Sequence, residues 1–309
     1  MPPRLLSLAG VLRALSLVFL LSILSGCAWV RSVPSEVSLA ARTVEVPAGR
    51  DHGLFIVDAH INGQGPYRLA VDTGASMLTL TPRVVSEVGL KTRSLPWRVR
   101  SARGKEWSWR GSGRVDTIEI PGGVRIESMR FLEHECPLGL DGLLGNGVFD
   151  HCAMIVDEKG RTMWWTTDES PVLPGDIPLT YRGAVPTFAL ELDGEPVHVT
   201  LDSGCSSALK LPREHQENLR LGALLGSTTS HTLHGPQQNT VWQYVGKLEV
   251  GGHTLLRPPI HFSSGSRLAG LSLFRGYQMR IDLRTMTLRL RKPGESLDQS
   301  IESPGEPAR

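Results

Sequence analysis

The chain has 309 residues and a formal net charge of +2, and 21% of its residues are charged. A chain of this length has room for about two modest domains. The nearly balanced charge argues against a polyanionic partner such as nucleic acid, because such partners are bound by a marked excess of Lys and Arg.

Residues 1–27 have the composition of an export signal. Arg4 and Arg13 precede or interrupt an apolar run over residues 15–24, which is shorter than the roughly 20 apolar residues of a membrane-spanning helix. The run ends in Leu24-Ser25-Gly26-Cys27 and resembles the bacterial lipobox, in which the cysteine is lipidated and becomes the mature N-terminus. The alternative is an ordinary signal anchor in which Cys27 occurs by chance.

A lipid on Cys27 would hold the protein in the bacterial cell envelope. Ala28 follows the cysteine, where an Asp would resemble an inner-membrane retention signal. We therefore expect an anchor in the outer membrane, with the protein facing the periplasm. Residues 28–43 carry Ser, Pro and small residues without sustained periodicity, which predicts a tether between the membrane and the folded part.

Two segments with one shared pattern form the centre of the sequence. An apolar run ends in Asp72-Thr73-Gly74-Ala75-Ser76, and a second one ends in Asp202-Ser203-Gly204-Cys205-Ser206. Each segment places a carboxylate at the mouth of a buried strand, and its Gly allows a sharp turn and a close approach of the two copies. One Asp-Ser/Thr-Gly triplet is also ordinary turn chemistry, but two inside longer matching segments are much harder to obtain by chance.

The match between the two halves extends well beyond these triplets. Residues 55–63 lead into the first one and residues 187–194 into the second, and both stretches end in an Asn-Gly or Asp-Gly hairpin turn. Residues 143–157 return as residues 268–282 without a gap. The chain is therefore two copies of one unit.

On these paired motifs, residues 50–292 resemble the single-chain, two-lobed aspartic peptidases of the pepsin and retropepsin type. In that family each lobe supplies one Asp-Thr/Ser-Gly loop and one apolar-apolar-Gly segment that packs against it, here Leu143-Leu144-Gly145 and Leu268-Ala269-Gly270. The resemblance implies an all-β fold of two similar β-barrel lobes related by a pseudo-twofold axis. The short lobes are more similar to a fused retropepsin dimer than to a full-sized pepsin.

The pattern of strands and breaks predicts the domain boundaries. From Thr43 on, short alternating or apolar runs are cut by Gly and Pro, which is typical of an all-β domain. Short helices are predicted at residues 82–89 and 213–219, in matching places of the two copies. The predicted parts are a signal peptide (1–27), a tether (28–43), an N-terminal lobe (44–168), a C-terminal lobe (176–292) and a disordered tail (293–309).

Both lobes are expected to carry a hairpin over the site. Period-2 alternation over residues 97–109 predicts a β-hairpin with its tip at Gly104, and in the family a hairpin here is a flap that closes over substrate. Gly235 follows Gly104 by 131 residues, nearly the spacing of the two Asp residues, which predicts a second flap. The basic residues of this region, interleaved with Trp, also fit a nucleic-acid surface. In an exported lipoprotein, a solvated hairpin face or a flap for acidic or aromatic peptide side chains is more natural.

The resemblance implies that Asp72 and Asp202 are the catalytic pair of an aspartic endopeptidase, which cuts envelope proteins or peptides. Two adjacent carboxyls share one proton and activate a water between them. Both lobes lie in one chain, so a monomer is expected. The resemblance also implies supporting roles: Thr73 and Ser203 interlock the loops through hydroxyl-to-backbone bonds, Gly74 and Gly204 form their turns, and Ser76 and Ser206 hydrogen-bond the carboxylates.

Three cysteines follow Cys27. Cys136 and Cys152 flank the Leu-Leu-Gly segment, and a bridge between them would close a loop of about 15 residues, worth roughly 3 kcal/mol. We predict this disulfide, since an exported location permits it. Cys205 stands where the family usually has a small residue. It has no His base near it in sequence, which favours a small buried hydrophobe over a nucleophile.

Other site classes find no support in the sequence. The ten His residues are scattered, and there is no His-Glu-x-x-His, Cys-x-x-Cys, Gly-x-Ser-x-Gly or nucleotide-binding Gly-rich motif, so no metal or cofactor is expected. The competing hypothesis is a non-catalytic envelope lipoprotein that retains the double lobe as a peptide-binding or structural module. A third possibility is a pair of Asp residues that works only after another protein opens the flaps.

Overall fold

The computed structural model describes residues 31–94, 99–100, 106–107, 110–157, 159, 161–233 and 235–292. The proposed lipidation site Cys27 and the predicted tail lie outside this part of the chain. No helix within these residues is long and apolar enough to cross a membrane.

Strands make up most of the described chain. Those of the first half are β1 (Glu36–Leu39), β2 (Thr43–Glu45), β3 (Gly49–Asp51), β4 (Leu54–Ile61), β5 (Gln64–Asp72), β6 (Leu78–Leu80), β7 (Thr92–Arg93), β8 (Val99–Arg100), β9 (Glu106–Trp107), β10 (Gly111–Ile120), β11 (Val124–Glu133), β12 (Gly142–Gly145), β13 (Ala153–Asp157) and β14 (Thr162–Thr166). Those of the second half are β15 (Ile177–Pro178), β16 (Thr180–Arg182), β17 (Val185–Leu192), β18 (Glu195–Leu201), β19 (Leu209–Pro212), β20 (Leu221–Thr232), β21 (Gly235–Tyr244), β22 (Leu248–Val250), β23 (His253–Thr254), β24 (Ile260–Ser263), β25 (Leu268–Ala269), β26 (Gln278–Asp282) and β27 (Thr287–Arg291).

The first predicted helix is present as α1 (Pro82–Val88). Thr81 caps it, with the side-chain oxygen accepting from the Val84 N–H, and Gly89 ends it in the left-handed conformation at φ 70°. The second predicted helix is a short 3-10 helix, Arg213–Asn218. Both follow an Asp loop, as the repeat predicts.

Six strands of the first lobe form a closed barrel. Their order is β11-β6-β12-β5-β4-β10, and β10 pairs with β11 to close the ring. Alternate residues of β5, such as Leu69 and Val71, fill the barrel. Strand β12 lies parallel to β5 with Gly145 opposite Asp72, so the Leu-Leu-Gly segment supports the end of the strand that carries the carboxylate.

The second lobe repeats this order with one strand divided. Strand β21 pairs with β24 and β22 pairs with β17, and residues 245–247 separate β21 from β22. Strands β21 and β22 together make the pairings that the single β10 makes in the first lobe. Asp202 directly follows β18, which corresponds to β5.

A six-stranded sheet joins the lobes in the order β2-β14-β13-β26-β27-β15. At its centre Met154 pairs with Ile281, and Val156 pairs with Met279. The repeat makes Met154 equivalent to Met279 and Val156 equivalent to Ile281, so the two pairs exchange under a twofold rotation. The predicted all-β fold of two lobes related by a pseudo-twofold axis is therefore confirmed.

The predicted tether is wrong for its described part, because residues 31–43 belong to the fold. Ser32 is buried; its N–H donates to the Ser76 carbonyl at 2.9 Å, and its hydroxyl donates to the Arg130 carbonyl at 2.5 Å. Strand β1 pairs with β11 and buries Val37. Four strand residues with one buried side chain are too few to produce a visible period in the sequence.

Candidate active site

Asp72 and Asp202 meet at the junction of the lobes, each half-buried at the end of its strand. A Cβ atom built on Gly74 would lie 2.6 Å from Cγ of Asp202, and one built on Gly204 would lie 2.6 Å from Cγ of Asp72. Each loop therefore touches the carboxyl group of the other lobe. Only Gly permits this approach, since any side chain would overlap the opposite carboxylate.

The two Asp loops are locked together by four hydrogen bonds. The Thr73 N–H donates to Oγ of Ser203, and the Ser203 N–H donates to Oγ1 of Thr73, both at 2.9 Å. Each hydroxyl in turn donates to a carbonyl of the other lobe, Thr73 to Leu201 at 2.7 Å and Ser203 to Val71 at 2.8 Å. Both side chains are buried. The interlock implied by the resemblance is thus present, and it fixes the separation of the carboxyl groups.

Hydrogen bonding distinguishes the two carboxyl groups. The N–H groups of Gly74 and Ala75 donate to Oδ1 of Asp72 at 2.9 and 3.0 Å, which favours a charged Asp72. Oδ1 of Asp202 is buried and receives no hydrogen bond from the described residues, and the N–H of Gly204 is the one backbone donor that lowers the pKa of Asp202. The anionic form is therefore better stabilised at Asp72.

Burial raises the pKa of both carboxyls. The pKa of Asp202 lies well above its ordinary value because burial is reinforced by the negative charge of Asp72. Burial also raises the pKa of Asp72, while hydrogen bonds from Asp202, Gly74 and Ala75 oppose that shift. Two carboxyls in contact thus share one proton, and the two backbone N–H groups that donate to Asp72 favour Asp202 as the site that holds it.

The predicted hydrogen bonds from Ser76 and Ser206 to the carboxylates do not form, so that prediction is wrong. Ser206 is exposed. Its Cβ lies beside Gly53 of the first lobe, at 3.5 Å from the position that a Cβ on Gly53 would take. Ser76 uses its carbonyl to accept from the Ser32 N–H. Backbone N–H groups nearer in sequence already occupy the oxygen of Asp72.

The apolar-apolar-Gly segments pack against the Asp loops. A Cβ on Gly145 would lie 2.6 Å from the Met77 carbonyl oxygen, and one on Gly270 would lie 2.4 Å from the Cys205 carbonyl oxygen. These contacts hold each loop from behind, as the resemblance implies.

Asn146 is a positioning residue that the sequence interpretation missed. It is buried, and its Nδ2 donates to the carbonyls of Thr73 at 3.2 Å and Ala184 at 2.9 Å, while its Oδ1 accepts from Nε of Arg31 at 2.9 Å. It thus ties the first Asp loop to the second half of the chain. The available signal was a break in the repeat, since the second copy has Leu271 at this place.

Antiparallel strand pairs lie at the places of both predicted hairpins. In the first, Val99 pairs with Trp107 and Arg100 with Glu106; Gly104 lies outside the described residues. In the second, β20 and β21 pair up to Thr232 and Gly235, so Gly235 opens the return strand with φ 94°. Residues 228–233 of this hairpin line the same cleft as the two carboxyls.

The cleft has a volume of about 500 Å³ and two chemically different walls. Leu233, from the second hairpin, crosses it and packs on an apolar cluster of the first lobe. The first-lobe wall is apolar and includes Leu54, Ala70, Leu138, Leu140 and Leu143. The second-lobe wall is polar and includes Lys210, Thr228, Ser230, His231 and His261. The sequence interpretation missed Lys210 and His261.

The predicted disulfide between Cys136 and Cys152 is wrong, because both thiols are free. Cys152 lies in the main hydrophobic core, whereas Cys136 packs on the cleft-facing apolar cluster. Leu144 of β12 faces the core that holds Cys152, and Leu143 faces the cluster that holds Cys136, so the sheet separates the two sulfurs.

Cys205 donates its thiol to the Ser207 carbonyl at 3.4 Å, and burial raises its pKa to about 12, which disfavours a nucleophilic thiolate.

We expect unreduced peptides of the full chain to contain Cys136 and Cys152 as free thiols in a mass spectrum. Burial raises the pKa of both thiols to about 12, so iodoacetamide at pH 8 should label them far more slowly in the folded protein than in urea. A cross-linked peptide pair, or equal labelling rates in the two states, would contradict the structure.

No group of three or more His, Cys, Asp and Glu among the described residues is arranged to hold a metal ion.

In comparison with known families, residues 57–148 match the family model described as Aspartyl protease. The matched segment contains the Asp72 loop and the Gly145 segment, and it ends before the second lobe. No curated protein matches the chain. Residues 57–148 are thus similar to an aspartyl protease domain, a kind of domain that hydrolyses peptides or proteins.

Proposed function

We propose that the protein is an aspartic endopeptidase that hydrolyses peptide bonds with a water activated between Asp72 and Asp202. The observation that carries this proposal is the contact of each Asp loop with the carboxyl group of the opposite lobe, maintained by the hydrogen bonds between Thr73 and Ser203. Such an arrangement forces two carboxyls to share one proton, which provides an acid and a base in one site.

The proposed reaction assigns one role to each carboxyl. The charged Asp72 removes a proton from the water, and the protonated Asp202 donates its proton to the oxygen of the peptide carbonyl. The water oxygen bonds to the carbonyl carbon and gives a tetrahedral diol. The C–N bond then breaks as the nitrogen receives the proton held by Asp72, and a diol hydroxyl returns its proton to Asp202. The products are a carboxylic acid and an amine, and the dyad of Asp72 and Asp202 returns to its starting protonation state.

We also propose that the enzyme works as a lipid-anchored monomer in the bacterial envelope. This part rests on the sequence around Cys27 and on the presence of both Asp loops in one chain. Its substrates would then be proteins or peptides of the periplasm, reached from the outer membrane.

A peptide with a hydroxyl in place of the scissile carbonyl tests the reaction. We expect the full chain to cleave a proteome-derived peptide mixture between pH 3 and 8. Because the hydroxyl imitates the tetrahedral intermediate, such a peptide should inhibit cleavage at least about 100-fold more strongly than the same peptide without it. Absence of cleavage across this pH range, or equal inhibition by the two peptides, would refute the proposal. The first outcome would favour a non-catalytic binding module.

A further inference from the structure

The two lobes differ at positions that the repeat makes equivalent. In the first lobe, Thr79 of β6 lies opposite Leu143 of β12. In the second lobe, Lys210 of β19 lies opposite Leu268 of β25. Leu143 and Leu268 correspond in the gapless block of the repeat, so Lys210 occupies the place of Thr79.

The neighbouring strand differs in the same way. Lys210 lies beside His261 of β24, whereas Thr79 lies beside Leu132 of β11. Both Lys210 and His261 line the cleft together with Asp72 and Asp202. The pair Thr79 and Leu132 of the first lobe is thus replaced by a lysine and a histidine in the second.

The ammonium group of Lys210 is held firmly under the second hairpin. The residue is only 2% exposed, and its Nζ donates to Oγ of Ser230 at 3.2 Å and to Oε1 of Gln237 at 2.8 Å. Ser230 lies on β20 and Gln237 on β21, so the lysine ties both hairpin strands to the wall. Its positive charge lowers the pKa of Asp202, which places it within electrostatic reach of the dyad.

A half-buried imidazole completes this wall. Nδ1 of His261 lies 3.4 Å from Oγ1 of Thr228, another residue of β20. Burial and the positive charge of Lys210 lower the pKa of His261, so its imidazole stands beside the lysine as a neutral hydrogen-bonding group and Lys210 supplies the charge. A fixed cation in a partly desolvated cleft attracts an anion far more strongly than an exposed one does, because water screens it less. The dyad itself carries one negative charge, so an anionic group needs such a cation to enter the cleft.

We propose that Lys210 and His261 form a subsite for a carboxylate of the peptide substrate, while the apolar first-lobe wall receives an apolar side chain. This inference rests on the proposed peptidase function and specifies its substrate class. The carboxylate has two possible sources, an internal Asp or Glu side chain and the free C-terminus of a peptide. An acid on one side of the scissile bond and an apolar residue on the other is the expected pattern.

Matched peptides test the subsite at pH 6, where a Glu side chain is ionised. Peptides that differ only in Glu or Gln at each position around the cut, and others with a free or amidated C-terminus, are compared by kcat/KM on the full chain. We expect one carboxylate position to be preferred about 10-fold or more over its neutral counterpart. The position of the preferred carboxylate shows whether it comes from an internal side chain or from the free C-terminus. Cleavage with no preference for any carboxylate would overturn the subsite and leave the peptidase proposal intact.

Variants of the two residues show whether they cause the preference for the carboxylate peptide. Lys210→Met should reduce the preference to nearly 1, and His261→Leu, which restores the first-lobe residue, should reduce it in part. Lys247→Met is the matched control, since its side chain is 58% exposed and pairs with Glu249; it should keep the full preference. An unchanged preference in Lys210→Met would contradict the proposal.

Binding of the same peptides to an Asp202→Asn protein gives a readout that needs no turnover. Tighter binding of the carboxylate peptide would support the subsite even if the wild type cleaved nothing. Equal binding of each pair would refute it, whatever the activity and however the Lys210 variant folds.

Discussion

Asp202→Asn is expected to lower kcat by roughly 10³-fold and, at the same time, to make the protein more stable at neutral pH. The first effect follows because an amide cannot hold the proton that the dyad shares and returns in each cycle. The second follows because an amide fills the same space without a charge to desolvate. Loss of activity with a gain of stability separates a functional carboxyl from a structural one.

The sign of the stability change follows from the pKa of Asp202. Its folded-state pKa is raised well above the ordinary 3.8 by burial and by Asp72. The folded protein therefore binds this proton more tightly than the unfolded chain does. The resulting stabilisation is complete below the ordinary pKa and is lost as the pH rises through the folded-state pKa. The Asn variant has no such loss, so the two stability curves should coincide near pH 3 and diverge at higher pH.

Urea unfolding from pH 3 to 7, together with peptide cleavage, checks both parts. Asp58→Asn serves as the control, because this carboxylate is exposed on β4; it should leave kcat unchanged. An active Asp202→Asn protein would contradict the mechanism, and a variant less stable than wild type at pH 7 would contradict the electrostatic argument.

Thr73→Val is expected to lower the free energy of unfolding by roughly 2–4 kcal/mol. Val fills nearly the same space but removes the hydroxyl, which leaves the Ser203 N–H and the Leu201 carbonyl without their partner. Each buried polar group left unpaired costs roughly 1–3 kcal/mol. Activity should also fall, by up to about 100-fold, because the separation of the two carboxyls is no longer fixed.

Thr73→Ser is the matched variant. It keeps the hydroxyl, and the second copy of the repeat already uses Ser203 at this place, so it should lie close to wild type in both stability and kcat. The two variants are distinguished by the urea concentration at the midpoint of unfolding, compared at the same dependence of the unfolding free energy on urea, and by kcat on one peptide. Equal behaviour of Val and Ser at position 73 would show that the interlock has little energetic weight.

The repeat explains why so much of the fold was predictable from the sequence. The Asn-Gly and Asp-Gly turns, the apolar strands before each Asp and the two Gly segments have strong local chemistry, and each occurs twice. By contrast, β1 has too few buried positions to show a period. The spacing of Cys136 and Cys152 gives a loop length but does not say on which face of a sheet each sulfur lies.

The missed site residues depend on contacts that are remote in sequence. Lys210 lies in an apolar strand, and nothing nearby reveals that a hairpin some 20 residues later covers its ammonium group. Asn146 is one polar residue in a Gly-rich turn until Thr73 and Ala184 approach it. In both cases, comparison of the two copies position by position was the available signal, since each breaks the symmetry of the repeat.

The covalent union of the two halves has a consequence for how a peptide is oriented. A cleft assembled from two identical chains presents the same side chains on both walls, so a bound peptide can lie in either of two opposite directions. Here the first-lobe wall carries apolar residues such as Leu54 and Leu140, while the second-lobe wall carries Lys210 and His261. Unequal walls give the groove a polarity, and a bound chain then has a single preferred direction from its N-terminus to its C-terminus.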